Sequence, residues 1–189
     1  IRCLTVDGYV KNNVEQIGEK PDEFNHTWAV VQLGQSPETW FYVDPTWGSG
    51  YTDDKMSVFT KAYNDAYFFA DRQVFNLQHY PDNTSWQIGV GPKNLKDFIG
   101  MPVVKTAAYD FGVKRFTPAN GFIKTKSSKP VQFSIKIADT ATVQIAALLI
   151  GADKKKKTKT VDYTLNGGTL NFSYKFDEED SYPVTVLIN

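Results

Sequence analysis

The sequence predicts an α+β unit followed by an all-β sandwich, and three observations lead there. Up to about residue 110, short strand-like runs and two short helical patterns are separated by clusters of Gly, Pro, Asn and Asp. From Val131 onward, apolar and polar side chains alternate at the period of two that a half-buried strand requires. Charge changes sign between the two stretches: residues 1–112 carry 9 basic and 14 acidic side chains, a net of −5, and residues 113–189 carry 12 and 7, a net of +5. All four tryptophans, Trp28, Trp40, Trp47 and Trp86, fall in the first stretch. Such shifts divide the chain into residues 1–110 and 113–189, with the seam near Gly112–Pro118.

In the first unit, Arg2–Val10 reads as one strand, Thr27–Leu33 as a second and Thr39–Val43 as a third. Met56–Tyr63 reads as a short helix, and Lys93–Ile99 as another, capped by the preceding Gly91-Pro92. In the second unit, Val131, Phe133, Ile135 and Ile137 face one side of a strand. Val143–Ile150 is apolar on both faces apart from Gln144, as a central sandwich strand should be. Val161 with Tyr163, then Leu170, Phe172, Tyr174 and Phe176, then Tyr182, Val184, Val186 and Ile188 continue the alternation. Turn residues at Asp153–Lys157, Asn166-Gly167-Gly168 and Asp177–Ser181 separate these runs. Roughly six or seven strands at this spacing predict an immunoglobulin-like antiparallel sandwich. With Cys3 as the single cysteine, its core must rest on packing without an internal disulfide.

Composition excludes several function classes. Lys+Arg and Asp+Glu are both 21, so bulk charge draws the chain neither to nucleic acid nor to an anionic membrane. Hydrophobic residues at 41% and charged residues at 22% make a packed core feasible and argue against global disorder. The longest apolar run, Ile145–Ile150, is far too short to cross a bilayer. No phosphate-binding glycine loop, zinc-ligand cluster or internal repeat is visible, so no cofactor or metal is expected. The chain opens at Ile1 on what reads as a strand already under way, and the expectation is a remnant of a longer protein.

One pair of residues carries chemistry. His26 opens the second strand and Asp44 ends the third. If those strands form a hairpin, imidazole and carboxylate come within hydrogen-bond reach. A carboxylate on one ring nitrogen fixes the tautomer and leaves the other nitrogen as a base. The alternative is a strand-end histidine beside an Asp-Pro turn.

Three segments carry a family resemblance: Asp-Gly-Tyr-Val-Lys at 7–11, Asn-His-Thr-Trp-Ala-Val-Val at 25–31, and Trp-Phe-Tyr-Val-Asp-Pro-Thr-Trp-Gly-Ser-Gly-Tyr at 40–51. They resemble the second half of the transglutaminase-like core of the papain-like cysteine enzymes. The nearer likeness is to the kyphoscoliosis-peptidase-like bacterial branch, where Asn64–Phe69, His79-Tyr80-Pro81 and Trp86-Gln87 are also similar and a β-sandwich often follows. The resemblance implies His26 as general base, Asp44 as its orienting carboxylate and acyl transfer through a thioester at a glutamine or peptide carbonyl. The family's nucleophile is a cysteine at a helix N-terminus, where the thiol pKa is lowered. No such helix precedes the first strand here; Cys3 is expected to be a packed strand thiol, and the chain by itself to be catalytically inactive.

The remaining features have plainer expectations. His79 reads as a structural polar residue, and Trp28 and Trp47 as lining either a substrate groove or the core. Lys154–Lys157 and Asp177–Asp180 read as solvated loops. Two alternatives to an enzyme stand beside it: a non-catalytic protein-interaction module, and a surface adhesion or glycan-binding protein using the sandwich. The partners expected are a polypeptide substrate or protein, with a homo-oligomer or a separate N-terminal segment covering the first strand; the expected location is the cell surface or periplasm.

Overall fold

The computed structural model describes residues 1–36, 39–53, 57–151, 156–177, 180–181 and 183–189. Strand residues outnumber helical ones two to one, 36% against 18%, so the mixed class holds with strands dominant. The chain falls into two compact units, Ile1–Tyr109 and Asp110–Asn189.

The first unit is built on strands β1 (Arg2–Val10), β2 (His26–Gln32) and β3 (Trp40–Val43). After β3 come a short helix α1 (Pro45–Ser49), a hairpin of β4 (Gly50–Thr52) and β5 (Phe59–Lys61), helix α2 (Arg72–Gln78), strand β6 (His79–Pro81) and helix α3 (Leu95–Gly100). The main sheet is antiparallel in the order β3-β2-β1-β6. One face carries Val6, Trp28, Val30 and Tyr42, packed with Tyr67, Ala70 and Phe75 into a core that removes large aromatic surfaces from water.

Local chemistry sets the element ends. Asp71 caps α2 by accepting the Gln73 and Val74 amides. Within α2, buried Asn76 binds the Tyr42 hydroxyl at 2.9 Å and donates to the Ile88 and Val90 carbonyls at 3.0 Å each. Buried Lys11 donates to the carbonyls of Phe98 (2.5 Å), Ile99 (3.3 Å) and Met101 (2.6 Å), closing the C-terminal end of α3; burial pulls its ammonium down to about 8. Gly8 lies where β1 meets both neighbours, and a Cβ there would overlap the Trp28 ring and the Tyr80 carbonyl oxygen.

Three expectations for this unit need correction. The helix expected at Met56–Tyr63 is instead β5, with Met56 outside the described residues. The Asp53 carboxylate binds the Ser57 amide (2.6 Å), the Ser57 hydroxyl (2.7 Å) and the Val58 amide (3.0 Å), turning the chain back so that Phe59–Lys61 pairs with Gly50–Thr52. Short apolar runs do not distinguish helix from strand, and here the turn decides. Helix α3 starts at Leu95 under an Asn94 cap, its side chain accepting the Asp97 amide at 2.9 Å, so Gly91-Pro92 is not the cap. Cys3 is exposed rather than packed, on the face of β1 opposite Val6.

The second unit contains β7 (Arg115–Thr117), β8 (Val131–Lys136), β9 (Ala146–Ile150), β10 (Lys157–Thr160), β11 (Tyr163–Asn166), β12 (Thr169–Tyr174) and β13 (Val184–Ile188). They form two antiparallel sheets, β11-β12-β8-β7 and β10-β9-β13. The pattern is consistent with a sandwich: Val131, Phe133, Ile135, Leu170 and Phe172 are buried on one sheet and Ala146, Ala147 and Leu148 on the other. Phe133 and Phe172 face each other in register, rings 4.8 Å apart and 11° from parallel. Gly167 and Gly168 supply the positive φ angles, 52° and 64°, of the two-residue turn joining β11 to β12. Lys157 opens β10 opposite Ile150 and so belongs to a strand, not to the loop expected for Lys154–Lys157. Residues 152–155, 178, 179 and 182 lie outside the described residues, and with them half of the lysine run, half of the acidic run and Tyr182. Among the described residues no helix is long and apolar enough to cross a membrane.

Candidate active site

His26 is placed by its neighbour. The Asn25 side chain accepts the Val10 amide at 2.9 Å and donates to the Val10 carbonyl at 3.2 Å, fastening the start of β2 to the end of β1. His26 then lies opposite Gly8, the residue without a side chain to crowd it. Asp44 follows β3 directly as the N-cap of α1, with Pro45 at the first helical position. The hairpin register Ala29↔Val43 carries Asp44 toward the start of β2. His26 Nε2 and Asp44 Oδ2 are 2.6 Å apart.

A second imidazole completes the group. His79, at the junction of α2 and β6, sets its Nε2 3.0 Å from the same Asp44 Oδ2. The other carboxylate oxygen, Oδ1, accepts the Trp47 amide at 3.0 Å. Asp44 and His79 side chains are fully buried, whereas the His26 side chain keeps 11% of its surface. Aromatic rings enclose the histidines: Phe75 stacks on His79 at 3.8 Å and 9°, and Trp47 lies 5.6 Å from His26 and 4.7 Å from His79.

Electrostatics follow from this enclosure. Burial alone would raise the Asp44 carboxyl, but the donors on His26, His79 and Trp47 outweigh it and hold the group well below the usual carboxylate range. Burial pushes the His79 imidazole below its ordinary value, against the opposing pull of Asp44, so His79 is neutral. With Asp44 ionised, His26 presents Nε2–H to it and keeps Nδ1 as its free basic nitrogen. That arrangement can accept a proton and support the resulting imidazolium.

His26, Asp44 and His79 are also the one group among the described residues with ligand atoms close enough for a metal ion. Their spacings of 2.6 and 3.0 Å are those of hydrogen bonds; tetrahedral ligands at about 2.1 Å from zinc stand roughly 3.4 Å apart. Hydrogen bonding therefore accounts for the cluster as it stands. A cavity of about 230 Å³ beside Lys11 and Phe98 is lined by none of the three residues.

Of the residues singled out in the sequence, His26 and Asp44 meet, with Trp47 beside them. Trp28 is only 2% exposed and belongs to the core, its ring 6.2 Å from that of His26. Cys3 is five positions along β1 from Gly8, the partner of His26, a separation of about 16 Å at strand rise. Sequence reasoning did not link His79 to Asp44. The available signal was its place in the His79-Tyr80-Pro81 segment.

No family model matches the chain, and no solved structure matches it significantly. Among curated proteins it is 36% identical to kyphoscoliosis peptidase of Mus musculus over 130 residues, 68% of this chain and 19% of that protein. It is 25% identical to hillarin of Drosophila melanogaster over 125 residues, 60% of this chain and 15% of that protein. It is 25% identical to a Lim and transglutaminase domain protein of Caenorhabditis elegans over 124 residues, 60% of this chain and 17% of that protein. The chain spans between 15% and 19% of the length of these curated relatives. Similarity to these proteins supports a transglutaminase-like family.

Proposed function

We propose that the chain supplies the base and orienting carboxylate of a transglutaminase-like cysteine hydrolase or acyltransferase acting on peptide or glutamine carbonyls. The observation that carries this is the 2.6 Å bond between partly exposed His26 and buried Asp44. In this reading residues 1–110 are part of a transglutaminase-like core, and residues 113–189 are an immunoglobulin-like accessory sandwich. His26 Nδ1 takes the proton of a cysteine thiol; the thiolate attacks the carbonyl carbon, and the imidazolium returns the proton to the departing amine. Water or a second amine then resolves the thioester. Trp47 flanks the substrate, and Trp28 supports His26 from the core. Cys3 lies too far from His26 to be the nucleophile, so the thiol comes from residues outside this chain.

The test is thiol-dependent amidase and amine-incorporation activity toward a glutamine-containing peptide. The isolated chain should be inactive, and a longer polypeptide that adds a helix-borne cysteine should be active. There His26→Ala should lower kcat by about 10²–10⁴-fold. Full activity in that variant, or activity of the isolated chain that Cys3→Ser abolishes, would overturn the proposal.

A further inference from the structure

We propose that His79 is a positioning residue: its Nε2–H holds the Asp44 carboxylate in the orientation that receives His26. This deepens the reading of His26 as a base and rests on it. Three donors converge on one buried carboxylate, two of them on Oδ2: His26 at 2.6 Å, His79 at 3.0 Å, and the Trp47 amide on Oδ1 at 3.0 Å. A carboxylate held by His26 and the Trp47 amide alone rests on one hydrogen bond at each oxygen. The third donor comes from a different element and adds a second bond at Oδ2 that any rotation about Cβ–Cγ must break.

His79 is itself immobile. It caps the C-terminus of α2, where its backbone amide donates to the Phe75 carbonyl. Its ring stacks on Phe75 and meets Trp28 at 5.2 Å and Trp47 at 4.7 Å. The neutral ring carries one proton, and two acceptors compete for it: Asp44 Oδ2 at 3.0 Å from Nε2, and the Phe75 carbonyl at 3.3 Å from Nδ1. The carboxylate is nearer and charged, so the proton resides on Nε2. A proton on Nδ1 would turn a lone pair toward the carboxylate. His79 is thus a fixed donor, while His26, sharing the same oxygen, keeps its exposed edge for chemistry.

The experiment compares His79→Gln with His79→Phe in the ¹⁵N-labelled chain. The sequence has two histidines, so each variant leaves His26 as the sole imidazole signal. The readout is solvent exchange of the His26 Nε2–H proton at fixed pH. Gln restores a side-chain N–H toward Asp44; Phe conserves the ring stacked on Phe75 but donates nothing. Positioning predicts wild-type protection in the Gln variant and a loss of about tenfold in the Phe variant, the equivalent of one charge-assisted bond. A packing role predicts the reverse order, so wild-type protection in His79→Phe would overturn the proposal, as would equal loss in both folded variants. Should the Gln variant fail to fold, the Phe variant decides by itself: protection retained overturns the proposal, and protection lost in a folded chain supports it. No substrate is involved, so failure of the positioning role and absence of acyl transfer are told apart by separate measurements.

Discussion

Asp44→Asn changes one oxygen into an amide nitrogen and should destabilise the first unit at pH 7 by about 3–6 kcal/mol, or about 1–4 kcal/mol if both imidazoles move their protons. The Asn side chain can keep its oxygen on the Trp47 amide, because Asn caps a helix as well as Asp. The new NH₂ group then faces the Nε2–H groups of His26 and His79, donor against donor. Two charge-assisted bonds are lost, each contributing about 1.5–3 kcal/mol, and about 1 kcal/mol per bond returns only if both imidazoles move their protons to Nδ1. That move places a proton on the His26 nitrogen proposed as base.

The sign of the pH dependence follows from the carboxyl. Its folded pKa lies below the ordinary 3.8, so its contribution is fully present above about pH 4 and is lost as pH falls below that. Asn gains no proton, and the gap between wild type and variant should therefore narrow on acidification. Tryptophan fluorescence during urea unfolding isolates the effect, because all four tryptophans belong to the first unit. With m near 1–3 kcal/mol/M, the midpoint should fall by about 1–3 M at pH 7. A change below about 0.5 kcal/mol, or one of equal size at pH 7 and pH 3, would refute the account of Asp44 as a buried anion held by both imidazoles.

Two further outcomes test the scaffold around the site. Asn76→Ala leaves the Ile88 and Val90 carbonyls without their donor and takes an acceptor from the Tyr42 hydroxyl; urea unfolding should show a loss of about 2–4 kcal/mol. Gly8→Ala forces a Cβ against the Trp28 ring and Tyr80 carbonyl and should cost about 1–3 kcal/mol, with faster amide exchange in β6 as the specific sign that the β1–β6 edge has opened.

Features with local causes were legible in the amino-acid order. The strand-like run at β1 and the alternation over β8 marked both strands to within a residue, since both signals lie in neighbouring side chains. Asn166-Gly167-Gly168 announced its hairpin because few residues other than glycine tolerate the positive φ such turns demand. His26 and Asp44 were legible as a pair because eighteen residues and two strands separate them, and a hairpin returns the end of one strand to the start of the other. Helix α2, seven residues long, offers too few turns for a helical period to emerge.

Tertiary structure decided the rest. Whether Cys3 is packed or exposed depends on which face of the sheet is covered, and alternation defines two faces without saying which is inward. The partnership of His79 with Asp44 spans 35 residues and exists because β6 joins the free edge of β1 while α2 packs over the sheet. Strand order is chosen by the burial of the whole aromatic core, not by the residues on either side of a histidine. A long-range contact of that kind leaves no periodic trace in the chain, because the energy that selects it is shared among Trp28, Tyr42, Phe75 and their neighbours.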